Sequence, residues 1–269
     1  MWELERQDDL QETSTTPARA GRLRVGIVGQ GRAGQALAEG LRAAGHDVDG
    51  PHGRDSLPQA DIVLLCVPDS EIEAAAQAVA GSARLVGHTS GATPLTALLP
   101  AAREGAGTFG LHPLQTLGGQ GAGVLRGAGC AVAGSSPVAL AVAERLAEDL
   151  GMRAFPVADD QRAAYHAAAS MASNFLVTLE WAAETLAVSA GLGSGARGLL
   201  APLVRATVEN WAATGPEHAL TGPVLRGDET TVSAQRDAVT ARSPELLPLF
   251  DALLERTRAL ALESRGAPA

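Results

Sequence analysis

Hydrophobic and polar positions follow two different patterns along this chain, and the change of pattern divides it in two. Between residues 23 and 157, short apolar runs alternate with amphipathic helical segments. This succession is typical of a doubly wound α/β domain with a mostly parallel sheet. From Asp159 onward the apolar positions recur at helical spacing only, which predicts an all-α domain. The sequence therefore predicts an α/β fold, with an N-terminal doubly wound domain over residues 23–157 and a helical domain over residues 158–265.

The apolar runs of the first half place the predicted strands. They cover residues 23–28, 46–50, 61–69, 84–86, 108–116, 130–133 and 153–157, and a helix is predicted over residues 137–150. The third run is apolar almost throughout, as expected of a central parallel strand covered on both faces. Because α/β sheets bind ligands at the carboxyl ends of their strands, Val67, Pro68 and Asp69 are predicted to contact a ligand. Asp69 is also a candidate N-cap for the next helix.

A glycine-rich bend joins the first predicted strand to the first helix. Gly29, Gly31 and Gly34 follow the spacing G-x-G-x-x-G, in which the first glycine turns the chain, the second admits a pyrophosphate and the third lets helix pack on strand. Free backbone N–H groups and the positive end of the helix dipole would face the phosphates. The flanking strand and helix favour dinucleotide binding over a purely structural turn. The predicted coenzyme-binding turn comprises Gly29, Gln30, Gly31, Arg32, Ala33 and Gly34.

The end of the second predicted strand contacts the adenosine ribose in domains of this kind. A preference for NAD requires an acidic residue there, and the corresponding window holds His52, Gly53, Arg54 and Asp55. With Gly53 in the place of the acid, Arg54 is free to pair with a 2′-phosphate, so NADP(H) is predicted over NAD(H). In the alternative, Asp49 binds the ribose and the coenzyme is NAD.

The helical half begins with a long predicted helix. Asp159 or Asp160 can cap it, and it is expected to run to about residue 190, before a glycine. On it His166, Ser170 and Asn174 are spaced by four residues and lie along one face. Such a polar row on an Ala- and Leu-rich helix either faces solvent or lines a site.

A loop over residues 215–228, punctuated by Gly and Pro, is the second candidate region of the helical half. Its Thr221 and Arg226 can hold an anion, and loops of this kind often carry function. The alternative is an ordinary helix connection in which Arg226 pairs with Asp228. Two more helices are predicted over residues 229–241 and 244–265. No histidine spacing indicates a metal site.

The composition restricts the partners and the compartment. The net charge is −9, but residues 1–12 alone hold five acids against one arginine. The folded part is thus only mildly acidic, which argues against nucleic acid and anionic membranes as main partners. Residues 1–22 are polar and carry no apolar stretch, so we expect a disordered leader. Cys66 and Cys130 lie in apolar runs without a C-x-x-C motif, which indicates a reduced, cytoplasmic protein.

All 21 basic residues are arginines, and the chain contains no lysine. This excludes a phosphate-binding P-loop lysine, a lysine Schiff base and the Tyr-x-x-x-Lys pair of short-chain dehydrogenases. A general acid is therefore sought among the six histidines.

Several motifs carry a resemblance to a known family. They read GIVGQGRAG, ADIVLLCVPD, GHTSG, HPLQTL, YHAAASMASN and ALTGPVLRGD. Together they resemble a family of Rossmann-like oxidoreductases whose two halves were classified as domains of unknown function, and the resemblance spans residues 23–262. More widely, the chain is similar to the 6-phosphogluconate dehydrogenase-like superfamily, in which a Rossmann domain precedes a helical dimerising domain. The resemblance implies a homodimer formed through the helical domain.

The superfamily also implies roles for individual residues. Ser90 and His112 resemble the serine and His-Pro of prephenate dehydrogenases that engage the reacting hydroxyl. His166 and Asn174 stand where β-hydroxyacid dehydrogenases and ketopantoate reductases have a lysine and an asparagine. The missing lysine leaves His112 and His166 as rival general acids. We favour His112, with Ser90 and Asn174 as hydrogen-bond donors, while His166 and Arg226 position a substrate carboxylate.

These features predict an NADPH-dependent oxidoreductase that reduces a small carboxylated 2-oxo acid or imine at a cleft between the domains. Ser170, Thr221 and Arg226 are the predicted substrate-binding residues. Ketopantoate is the first substrate to test, and a cyclic imine, as in pyrroline-5-carboxylate reductases, is the second. The alternative from another class is a catalytically silent NADP(H)-binding redox sensor that acts through a partner protein.

Overall fold

The computed structural model describes residues 21–119 and 121–266. The predicted leader therefore lies outside the described residues, except for its last two positions. Two compact units divide the chain between Ala169 and Ser170. The predicted boundary, after residue 157, falls earlier because the start of the first helix of the second half packs with the sheet unit.

The first unit is built on a seven-stranded sheet within the described residues. Its strands are β1 Arg24–Val28, β2 Asp47–His52, β3 Ile62–Leu65, β4 Leu85–His88, β5 Gly107–Leu114, β6 Gly129–Gly134 and β7 Arg153–Pro156. Their order is β2-β1-β3-β4-β5-β6-β7. The first five strands are parallel, which confirms the predicted α/β class. β1 lies between β2 and β3, so the chain reverses its winding direction at this strand.

The last two strands run against the other five, since β6 is antiparallel to β5 and parallel to β7. The alternation of strands and helices did not predict this reversal. Its cause lies in the connection between β5 and β6, whose described part holds a 3₁₀ turn, Ala122–Leu125, and no α-helix. A parallel connection would normally need a helix to cross the sheet.

Helices cover both faces of the sheet. They are α1 Arg32–Ala43, α2 Ile72–Ala78, α3 Leu99–Arg103 and α4 Pro137–Asp149. Alternate residues of β3 enter two separate cores: Ile62 and Leu64 pack in one, Val63 and Leu65 in the other. This alternation explains why the strand is apolar at every position. Cys66 and Cys130 are buried as free thiols.

The second unit is helical. Its helices, counting the one that leads into it, are α5 Arg162–Ala172, α6 Asn174–Ala187, α7 Ala196–Thr214, α8 Pro216–Ala219, α9 Pro223–Arg226, α10 Glu229–Arg242 and α11 Leu247–Gly266. The prediction of one helix to residue 190 is wrong. The helix is interrupted at Ser173, where φ is −122° and ψ is −75°. A second break follows in the π-helical turn Val188–Leu192, where Gly191 has φ 100°.

Large apolar side chains remain exposed on α6 and α7. Phe175, Val177, Trp181, Leu199, Leu203 and Trp211 each expose more than half of their surface. An 18-residue window within Asp159–Thr214 has a mean hydropathy of 1.3 and is only 6% buried, so by length and composition it could cross a membrane. The buried core of this unit is small, centred on Ala182, Val239 and Leu246. Exposed apolar surfaces of this kind are typical of interaction sites.

Candidate coenzyme and proton-transfer site

The strand register brings the ends of five parallel strands to one edge of the sheet. Val28 pairs with both His52 and Leu65, Leu65 pairs with His88, and His88 with Gly110. The residues that follow these five positions form the carboxyl edge. Sequence-predicted residues from the glycine turn, from Val67 to Asp69, from Ser90 and from His112 all lie along it.

The glycine turn has the steric constraints expected of its spacing. Gly29 has φ +115°, and a Cβ there would lie 2.1 Å from the Cys66 carbonyl oxygen. A Cβ on Gly34 would lie 1.9 Å from the Gly29 carbonyl oxygen, whereas one on Gly31 would meet nothing within 4 Å. Gly31 is the N-cap of α1 and provides no side-chain hydrogen bond. The backbone N–H groups of this helix start are thus open to an anion, which fits a dinucleotide diphosphate.

A pocket of about 510 Å³ lies beside this turn. Among its walls are six predicted coenzyme residues: Gly29, Gln30, Gly31, Arg54, Val67 and Pro68. His52, which belongs to the window predicted to contact the ribose, also lines it, as does Glu71, which sequence reasoning missed. Asp69 lies in a 3₁₀ turn, and the starts of both that turn and α2 lack a side-chain cap, so its predicted capping role is wrong.

Two charged groups bear on the predicted coenzyme preference: Arg54, which lines this pocket, and Asp49, which does not. Arg54 is 85% exposed and its Nη2 lies 3.3 Å from Glu71 Oε1. Asp49, the alternative ribose ligand, has both carboxylate oxygens in use: Oδ2 accepts from the Gln59 N–H at 2.7 Å, and Oδ1 lies 2.7 Å from His52 Nε2. These two hydrogen bonds lower the pKa of Asp49. Asp49 therefore links β2 to the loop that follows it.

A cluster of aromatic rings forms at the end of β5. His112 Nδ1 lies 2.7 Å from the Tyr165 hydroxyl oxygen, and the His112 and His166 ring centroids are 5.9 Å apart. Gly91, at the end of β4, packs against both imidazoles: a Cβ there would lie 2.6 Å from His166 Cδ2 and 2.8 Å from His112 Cε1. The structure thus brings together two predicted site histidines, and all of these residues belong to the first unit.

His112 is neutral at physiological pH. Burial lowers its pKa to about 4, with further lowering from the neighbouring His166 and the Arg162 guanidinium. A neutral imidazole has one N–H and one acceptor nitrogen, and the Tyr165 hydroxyl occupies its Nδ1 side.

Arg162 is a buried cation beneath this cluster. Its Nε donates to Asp159 Oδ1 at 2.9 Å and its Nη1 to the Ser90 carbonyl oxygen at 3.2 Å. Its Nη2 would lie 2.3 Å from a Cβ on Gly110, so the guanidinium fills the space above that glycine. Asp159 also accepts from the Leu95 N–H at 3.0 Å. The carboxylate predicted as a helix cap instead ties α5 to the loop after β4.

Ser90 is buried, and its hydroxyl is engaged within its own loop. The hydroxyl donates to Thr93 Oγ1 at 2.9 Å and accepts from the N–H groups of Ala92 and Thr93. The Ser90 N–H donates to His88 Nδ1 at 3.2 Å. The predicted contact of this hydroxyl with substrate stays a prediction.

The remaining predicted residues belong to the second unit. Ser170 is half-buried, while Asn174, Thr221 and Arg226 are exposed. Asn174 begins a new helix after the break, so the predicted polar row is not one regular helix face. Asp228 caps α10 by accepting from the Thr231 N–H at 3.1 Å. The substrate-binding roles of these residues stay predictions.

Sequence reasoning missed three residues of the cluster: Gly91, Arg162 and Tyr165. One signal was present, since Tyr165 is the only tyrosine of the chain and stands beside His166. Nothing in the local sequence pattern indicated that Arg162 would be buried. Among the residues that the structure describes, no group of three or more His, Cys, Asp or Glu is placed to hold a metal ion.

Comparisons with known proteins agree with this architecture. Residues 128–257 match the model of a domain of unknown function, DUF2520, and residues 51–113 match that of a Rossmann-like domain. No curated protein matches the chain.

Three solved structures share the fold at low sequence identity. A protein from Thermotoga maritima is 22% identical over 90% of this chain and 99% of its own, with a TM-score of 0.74. A Bacteroides fragilis protein assigned as an NADP oxidoreductase is 21% identical over 88% of this chain and 98% of its own, with a TM-score of 0.71. A 1-pyrroline-5-carboxylate reductase from Streptococcus pyogenes is 15% identical over 88% of this chain and 99% of its own, with a TM-score of 0.60.

Proposed function

We propose that this chain, which belongs to the Rossmann-like proteins with a DUF2520 domain, is an NADPH-dependent oxidoreductase. One observation carries the proposal: the glycine turn and the His112 cluster lie along the same carboxyl edge of the sheet. A phosphate-compatible helix start and a proton-handling group at one edge are what a nicotinamide-dependent reduction requires.

The chain's own residues fit the coenzyme. Gly31 and the first N–H groups of α1 would hold the diphosphate, and Val67 and Pro68 would line the pocket beside it. When bound, NADPH supplies a hydride to the substrate carbon, so the substrate's oxygen or nitrogen gains an electron pair and needs a proton. The His112 cluster would hold that proton donor.

NADP(H) is preferred over NAD(H) in this proposal. Asp49 does not line the pocket, and its carboxylate oxygens already contact His52 and the Gln59 N–H, which weighs against the NAD alternative. Arg54 lines the pocket with its side chain in solvent and paired only across 3.3 Å to Glu71. A 2′-phosphate would give it a stronger, charge-assisted partner.

Arg54→Ala tests this preference. We expect the Kd of NADPH to rise by about 10-fold or more, from the loss of a charge-assisted bond, while the Kd of NADH stays unchanged. The matched control is Arg103→Ala, another exposed arginine of the first unit. Unchanged NADPH binding, or an equal loss for both coenzymes, would reject the role of Arg54.

The substrate is a small carboxylated 2-oxo acid or imine, with ketopantoate tested first. In this proposal His166 and Arg226 pair with the carboxylate, and Ser170, Asn174 and Thr221 contact the rest of the substrate. A panel of 2-oxo acids and cyclic imines, followed by NADPH absorbance, tests the activity. Failure of both coenzymes to bind at millimolar concentration would refute the proposed function.

The alternative is a silent NADP(H)-binding sensor that acts through a partner protein. The observation in its favour is that Ser90, one of the predicted catalytic groups, is committed to its own loop. Tight NADPH binding without oxidation by any member of the panel would favour the sensor.

We also propose a cytoplasmic homodimer formed through the helical unit. The exposed apolar side chains on α6 and α7 support the dimer. The two buried free cysteines support the cytoplasmic location. In this proposal the apolar window within Asp159–Thr214 is covered by a second copy and not by a bilayer.

A further inference from the structure

Tyr165 contacts a ring nitrogen of His112 and has no role in the proposed function. Its hydroxyl oxygen lies 2.7 Å from His112 Nδ1. Its ring packs edge-on against His112 at 5.6 Å and against Phe155 at 5.9 Å between centroids. The side chain is half-buried, so its position is fixed by packing while part of it remains accessible.

His112 itself is a poor source of the proton. It is neutral because burial, the neighbouring His166 and the Arg162 guanidinium lower its pKa. A neutral imidazole that gave up its only N–H would become an imidazolate, which is far less stable than a phenolate. The Tyr165 hydroxyl, in contact with the same nitrogen, is the better donor.

We propose that Tyr165 is a further catalytic residue, whose hydroxyl protonates the carbonyl oxygen of a 2-oxo acid while His112 donates from Nδ1–H to the phenolic oxygen. This inference rests on the proposed function. It assigns His112 to positioning and Tyr165 to proton transfer, and it assigns the substrate to the carbonyl class.

The proton step balances with NADPH as reductant. When the carbonyl carbon is reduced, the π electron pair moves onto its oxygen. The O–H bond of Tyr165 breaks as a new O–H bond forms on the substrate, which leaves a phenolate. The Nδ1–H of His112 and the nearby positive charge of Arg162 stabilise this phenolate until it regains a proton from water.

The chemistry of a phenol selects the substrate class. Burial raises the pKa of Tyr165 to about 12, which is still below the pKa of a hydroxyl compound such as water. Tyr165 can therefore protonate a nascent alkoxide. An imine is reduced most readily as its iminium ion, which already carries the proton and needs no such donor.

Imidazole ¹⁵N NMR tests the geometry without any turnover. In the wild-type protein at about pH 7 we expect His112 to be neutral and protonated at Nδ1, with the signal identified by its loss in His112→Asn. In Tyr165→Phe, which removes only the hydroxyl, we expect the Nδ1–H form to lose population. An exposed histidine, His218, serves as the internal control. A wild-type His112 with unprotonated Nδ1 would mean that Tyr165 donates to His112, and would overturn the inference.

Kinetics of Tyr165→Phe give the second test. We expect kcat for 2-oxo acids to fall by about 100-fold or more, while the Kd of NADPH and the reduction of cyclic imines change by less than about 3-fold. Unchanged 2-oxo acid reduction, or a wild-type enzyme that reduces imines alone, would overturn this inference and leave the proposed function standing. A wild-type protein that oxidises NADPH with neither class would overturn both.

Discussion

His88 is a fully buried histidine, and its neutral state ties folding to pH. Burial lowers its pKa to about 4, and the positive charge of Arg162 lowers it further, against the opposing effect of Asp69 and Asp159. In the unfolded chain the pKa returns to about 6.5. Between these two values the unfolded state binds more protons, so the free energy of unfolding decreases as the pH falls from about 6.5 towards 4.

His88→Asn tests this linkage, because the Asn carbonyl oxygen can still accept from the Ser90 N–H. We expect the wild-type protein to lose about 2 kcal/mol more stability than the variant between roughly pH 7.5 and pH 5. Urea unfolding at the two pH values gives the comparison. Parallel pH dependence of both proteins would show that the pKa of His88 is the same in the folded and the unfolded chain.

Gly91 is where the absence of a side chain permits two imidazoles to meet. In Gly91→Ala the new Cβ would lie 2.6 Å from His166 and 2.8 Å from His112, so both rings must shift. Because proton transfer is sensitive to such displacements, we expect kcat to fall by about 10-fold or more, with NADPH binding preserved. Steady-state kinetics and a coenzyme titration on the same preparation check this. A kcat equal to that of the wild-type protein would show that catalysis does not depend on the positions of these two histidines.

At the scale of elements, the junction of β1 and α1 separates a folding constraint from a binding constraint. Gly34 cannot carry a Cβ without meeting the Gly29 carbonyl oxygen at 1.9 Å, whereas a Cβ on Gly31 meets nothing within 4 Å. The contact between Gly29 and Gly34 sets how closely helix and strand pack. In the proposed function, Gly31 keeps space for a diphosphate.

The matched variants Gly31→Ala and Gly34→Ala test this separation. We expect Gly34→Ala to lower the free energy of unfolding by about 2 kcal/mol or more, as overpacking does. Gly31→Ala should keep wild-type stability and lose at least about 10-fold in NADPH affinity. Thermal unfolding and coenzyme titration provide the two readouts. Full NADPH affinity in Gly31→Ala would place the diphosphate elsewhere.

At the scale of the whole molecule, the helical unit has more apolar surface than its own core can bury. Trp181 and Leu203 expose 59% and 64% of their surface. The buried core of that unit, in contrast, is centred on Ala182, Val239 and Leu246. Such a surface is costly for a monomer in water, and a second copy would cover it.

Trp181→Glu and Leu203→Glu should convert the proposed dimer into monomer, because each places a charge among the exposed apolar side chains of α6 and α7. Light scattering after size-exclusion chromatography measures the mass. The control is Val138→Glu on α4 of the sheet unit, which is 68% exposed and should leave the mass unchanged. A wild-type protein that is monomeric at high micromolar concentration would contradict the dimer.

The sequence alone was enough to predict the α/β class, most strand positions and the glycine turn, because these follow from local periodicity and from backbone rules acting within a few residues. It could not determine the reversal of β6 and β7, which depends on how a connection crosses the sheet. Nor could it reveal the break at Ser173, since the apolar spacing continues through it.

The fold, and not the local sequence, determines which polar groups meet at the carboxyl edge. His112 and Tyr165 are 53 residues apart in sequence, and the burial of Arg162 beneath them arises from packing against Gly110. The charge state of His112 follows from that environment, and burial is a property of the folded chain alone. The sequence can therefore indicate that a histidine is a candidate for proton transfer. Its charge state and its role depend on side chains that distant segments of the chain place around it.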